Sequence, residues 1–81
     1  MKQSLDYAAF LNHLAWVVDR PIADVPPGQR IGELGLDSVE LLAALIGVEA
    51  MAPGFELPVS IDGLLDLTLG ELYGFYRSYV A

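Results

Sequence analysis

The chain has 81 residues, with 11 acidic against 4 basic side chains and a formal charge of -7, which argues against binding a phosphate backbone. Yet 54% of the residues are hydrophobic and mean hydropathy is +0.47, too apolar for an acidic disordered tail. Cysteine is absent and His13 is the single histidine, which removes disulfides and thiolate metal sites and leaves little material for a catalytic triad.

These quantities describe one domain, residues 1–81, near the size at which a single core becomes marginal. Apolar runs are only a few residues long, well short of the roughly 20 a membrane span requires. No charged-then-apolar leader follows Met1, so the expectation is a cytoplasmic, monomeric protein without metal, membrane or nucleic-acid partners.

A first helix is expected from about Ser4 to Asp19. Ser4 is the candidate N-cap, Asp6 suits the positive helix start, and Arg20-Pro21 stops it. Tyr7, Leu11, Leu14 and Val18 recur at helical spacing, widened by Phe10 and Val17. Trp16 and Tyr73, Tyr76 and Tyr79 are assigned to core and rim, and His13 to the surface or boundary. From Arg20 to Gly35 the prolines and glycines forbid a continuous helix.

The second helix begins at Asp37-Ser38 and reaches about Ala52, where Pro53-Gly54 ends it. Asp37 and Glu40 have capping-box spacing. Leu41, Leu42, Ala44, Leu45, Ile46 and Val48 cover more of its circumference than a one-sided helix needs. Some of them should therefore face outward.

Ser60 can cap a short turn, Ile61 to Asp66, weakened by Gly63. Thr68 and Glu71 form a second capping box, opening a helix to about Tyr79. Its stripe is Leu69, Leu72, Tyr76 and Tyr79, with Tyr73 and Val80 alongside, and Gly70 and Gly74 suggest close packing. The predicted class is all-α: a small four-helix bundle with a short third helix and a long first loop.

One stretch carries chemistry. Gly32 to Leu41, read Gly-Glu-Leu-Gly-Leu-Asp-Ser-Val-Glu-Leu, puts Ser38 in the first turn of a helix behind a glycine-bearing loop. An anion attached to Ser38 would meet unpaired amides and the positive end of the helix dipole. No base accompanies the serine, so it reads as the acceptor of a group rather than a nucleophile. Asp37, with a second carboxylate, could hold a divalent cation brought by a modifying enzyme.

The segment ELGLDSVELLAAL resembles the phosphopantetheine attachment motif of acyl carrier proteins, in which a serine follows L-G-x-D. Length, acidity, the absence of cysteine and the order of helices are similar too. FELP resembles that family's passage from second to third helix, and LTLGELYGFY its fourth-helix opening. The resemblance implies a freestanding carrier that is not an enzyme, with 4'-phosphopantetheine from coenzyme A on Ser38. The reactive thiol would then belong to the cofactor.

Gly35, Leu36 and Asp37 match the residues before the family's serine. Val39, Leu42 and Ile46 match the positions that flank the arm and meet partner enzymes. Implied partners are a phosphopantetheinyl transferase, a loading enzyme for acyl or aminoacyl groups, and an acyltransferase or ketosynthase. Implied pathways are fatty-acid, polyketide or related natural-product biosynthesis. Glu49 is the only acid in the second helix after Glu40, so electrostatic recognition is assigned to Glu33, Asp37, Glu40, Glu56 and Asp62. Two alternatives stand beside this reading: an aminoacyl or peptidyl carrier, and an unmodified helical interaction module in which Ser38 is only a cap.

Overall fold

The computed structural model describes residues 5–22, 24–56 and 60–80. They form four helices: α1 (Tyr7–Val18), α2 (Ser38–Met51), α3 (Ile61–Asp66) and α4 (Leu69–Val80). A 3₁₀ turn, Ile31–Leu34, interrupts the long first loop. No strand occurs among the described residues; only an isolated antiparallel bridge pairs Arg30 with Thr68. The class is all-α, and the Cα radius of gyration, 11.4 Å, is that of a fully collapsed chain of this length.

Each helix start is fixed by local chemistry. The cap of α1 is Asp6, whose carboxylate accepts from the Ala9 amide at 2.8 Å. The cap expected at Ser4 lies outside the described residues, and α1 opens with Tyr7. Ser60 Oγ accepts from the Gly63 amide, capping α3 as expected. At α4 the Thr68–Glu71 box is closed in both directions. The Leu69 amide donates to Gln29 O (2.9 Å) and the Gly70 amide to Pro27 O (2.8 Å). The orphan donors of this first turn are thus met by the long loop.

The same strip of backbone pins that loop to the junction of α3 and α4. Ile31 N donates to Leu67 O at 2.9 Å. Close approaches follow. A Cβ on Gly70 would stand 2.9 Å from Pro27 Cβ, and one on Gly32 would stand 2.9 Å from the Leu65 carbonyl oxygen. Of the two glycines expected to allow close packing in the last helix, Gly70 does so, whereas Gly74 has nothing within 4 Å.

The core is built from Phe10, Leu11, Leu14 and Val18 of α1, Leu41, Ala44 and Val48 of α2, Leu64 of α3, and Leu69, Leu72, Tyr76 and Val80 of α4. Ile22 and Ile31 seal it from the loop, and no polar side chain is buried among the described residues. The α4 stripe therefore ends on Val80; Tyr79 stands at the rim, its hydroxyl donating to Pro53 O at 2.8 Å. Tyr73 and Tyr76 hold the chain before α1: Leu5 N donates to Tyr76 Oη, and Tyr73 Oη donates to Leu5 O.

Trp16 corrects the sequence reading. It is 81% exposed and belongs to neither core nor rim. It stands two positions from Leu14 and from Val18, a rotation of about 200° on a helix, so it points away from the stripe those residues form. Its neighbour along the solvent side, Asn12, is exposed as well.

Candidate functional site

The stretch singled out in the sequence forms the entrance to α2. The 3₁₀ turn ends at Gly35, whose φ of +74° lies in the left-handed region where other residues are strained. Leu36 dips toward the core. Asp37 takes an extended backbone (φ -82°, ψ 176°) and caps the helix, its Oδ1 accepting from the Glu40 amide at 2.8 Å. Glu40 Oε1 accepts in return from the Asp37 amide at 3.0 Å, completing the expected box.

Ser38 is the first helical residue and is exposed. Because Asp37 is the cap, the Ser38 hydroxyl takes no part in closing the helix end. It makes no hydrogen bond among the described residues.

Sequence reasoning missed one member of this cluster. Arg20, the residue that follows the left-handed Asp19 at the end of α1, reaches across to α2. Its Nε donates to Glu40 Oε2 at 2.6 Å and its Nη2 to Glu40 Oε1 at 3.0 Å. Nη2 also donates to the Gly35 carbonyl at 3.3 Å. The Arg20 hydrogen bond, followed by that from the Asp37 amide, pulls the Glu40 carboxyl down to about 2. Glu40 in turn raises the Arg20 guanidinium above its ordinary value. Of the eleven acidic residues, ten are exposed, and Glu40 is the half-buried exception.

No sequence spacing signals this pair, since its members lie 20 residues apart. Its basis is the packing of α1 on α2. Arg20 meets the start of α2, and Val17 abuts Gly47, where a Cβ would lie 3.1 Å from a Val17 methyl. The two helices thus run antiparallel. His13 lies one turn beyond Val17, still farther from Ser38. Its Nε2 is shut off from solvent with no hydrogen-bond partner.

The side of α2 away from the core is also apolar. Val39, Leu42 and Ile46 are 74%, 50% and 57% exposed, while Leu41 and Val48 are buried and Leu45 is packed against the core. Glu56 and Asp62 are exposed, the first after α2 and the second in the first turn of α3. No hydrogen bond or ion pair among the described residues joins either to the Ser38 cluster. Glu33 is exposed and serves the 3₁₀ turn, its Oε1 accepting from the Arg30 amide. No group of three His, Cys, Asp or Glu among the described residues could hold a metal ion.

Beneath the entrance, Leu36, Leu41, Leu45 and Leu64 line an interior void of about 10 Å³, room for at most one water. No helix among the described residues is long and apolar enough to cross a membrane. No family model matches the chain, and no curated protein or solved structure does.

Proposed function

We propose that this protein is an acyl carrier, modified on Ser38 with 4'-phosphopantetheine and carrying acyl intermediates as thioesters on that arm. The motif Gly35-Leu36-Asp37-Ser38 raises the reading, and one observation carries it. The serine of the motif opens a helix that it does not cap, with its side chain in solvent. A residue kept for capping would be hydrogen-bonded to the first turn, and here Asp37 fills that role. The hydroxyl is left available for attachment.

The surroundings of Ser38 suit the group it would receive. Nothing lies within 4 Å of a Cβ built on Gly35, and Ser38 itself is exposed. A phosphodiester on Ser38 Oγ sits in the first turn of a 14-residue helix, where the dipole favours an anion. Since the chain has no cysteine, the cofactor supplies the only thiol.

Val39, Leu42 and Ile46 would then be the docking surface for enzymes that load and unload the arm, with the exposed acids Asp37, Glu56 and Asp62 attracting basic entrances. The rival reading, an unmodified interaction module, uses the same apolar face, and attachment of the arm to Ser38 is what separates the two. Incubation with coenzyme A, Mg²⁺ and a promiscuous phosphopantetheinyl transferase should add one phosphopantetheinyl group, and Ser38→Ala should abolish the gain.

A further inference from the structure

We propose that Arg20 is a positioning residue for the modification of Ser38, an inference that rests on the carrier reading. The Arg20–Glu40 contact is the one ion pair among the described residues, and it stands at the approach to the serine. Its third hydrogen bond goes to the Gly35 carbonyl. Gly35 has no side chain to pack, and nothing lies within 4 Å of where one would be. Arg20 therefore supplies the tether between this backbone and α1.

The tether runs through two links. Nη2 holds Gly35 O directly, and the guanidinium also fixes the Glu40 carboxylate that receives the Asp37 amide. Residues 35–37 are thus held on both sides of Leu36, immediately before Ser38. An enzyme acting on Ser38 must recognise this approach, and ordering it in advance lowers the entropy lost on binding. Lysine cannot replace the arrangement fully, because one ammonium lacks the planar fork that spans a carboxylate and a carbonyl.

The test compares wild type, Arg20→Gln, Arg20→Lys and Tyr79→Phe as full-length substrates of the transferase. Tyr79 bonds to Pro53, beyond the far end of α2, a helix whose 14 residues span about 21 Å. Its loss therefore reports destabilisation alone. Arg20→Gln should raise the KM for the carrier roughly tenfold with kcat changed less than about twofold, Arg20→Lys should recover part of the loss, and Tyr79→Phe should match wild type. An unchanged KM in Arg20→Gln, or an equal rise in Tyr79→Phe, would overturn the assignment. Failure of wild type to be modified at all would instead overturn the carrier reading and take this inference with it.

Discussion

Arg20 and Glu40 join the end of α1 to the start of α2 through two parallel hydrogen bonds, Nε to Oε2 at 2.6 Å and Nη2 to Oε1 at 3.0 Å. The same carboxylate closes the capping box with Asp37. One acid therefore serves both the local geometry of a helix start and the long-range pairing of two helices. Such fork-to-carboxylate contacts are geometrically specific even where solvent screens them.

A pH dependence follows, with a definite sign. The Glu40 carboxyl falls from its ordinary 4.5 to about 2 in the folded protein, so the folded state favours the ionised form. The resulting stability is fully present above about 4.5 and is lost as pH falls toward 2. Urea midpoints measured from pH 6 to pH 2 should decline more steeply for wild type than for Glu40→Gln. Parallel curves would show that the pair does not form in solution.

Two glycines of α4 should respond oppositely to alanine. Gly74→Ala adds a methyl into open space and should stabilise the helix by about 0.5–1 kcal/mol. Gly70→Ala drives its methyl to 2.9 Å from Pro27 Cβ and 3.0 Å from Pro27 O, and should destabilise by about 1–3 kcal/mol through overpacking. Urea denaturation of the two variants decides the matter. Stabilisation by both would mean that the long loop is not seated on α4.

The exposure of Trp16, the single tryptophan, makes a spectroscopic prediction. Native fluorescence should peak close to that of the urea-unfolded chain and be readily quenched by acrylamide. A strongly blue-shifted, protected native emission would place the indole in an apolar contact.

The two sides of α2 should separate stability from transfer. Leu42→Asp and Ile46→Asp alter exposed positions and should shift stability by about 0.5 kcal/mol or less, yet impair acyl transfer to partner enzymes. Leu41→Ala, at a buried position, should cost about 2–5 kcal/mol. Normal transfer by both aspartate variants would remove this face from the docking surface.

What the sequence made legible was chiefly local. The Asp37–Glu40 and Thr68–Glu71 boxes and the Ser60 cap each span three residues, and all three occur where their spacing predicts. The outward apolar side of α2 was equally readable, because one helix carried more apolar positions than one core face could take. At α1, Ser4 and Asp6 are both cap-type residues two positions apart; the expected cap is Ser4, and Asp6 is the residue that caps the helix. The helical phase of Trp16, two positions from Leu14 and from Val18, already points it away from their stripe.

The remainder depends on contacts distant in sequence. The long loop is fixed to α4 by backbone bonds that the Leu69 and Gly70 amides donate to Gln29 O and Pro27 O, which leave no side-chain signature. Arg20 lies 20 residues before Glu40 in the chain, and only the antiparallel packing of α1 on α2 brings the two together. The opening imbalance between charge and hydropathy is resolved in space. Ten acids cover the surface, while exposed Val39, Leu42 and Ile46 keep one strip of it apolar.

The central claim is that Ser38 is an attachment site. Its most direct test is the intact mass of folded, full-length protein after incubation with coenzyme A, Mg²⁺ and a promiscuous phosphopantetheinyl transferase. The carrier account predicts a single phosphopantetheinyl adduct, mapped to Ser38 by peptide fragmentation and absent from Ser38→Ala. An unmodified mass from correctly folded wild type, or an adduct that persists in Ser38→Ala, would contradict it.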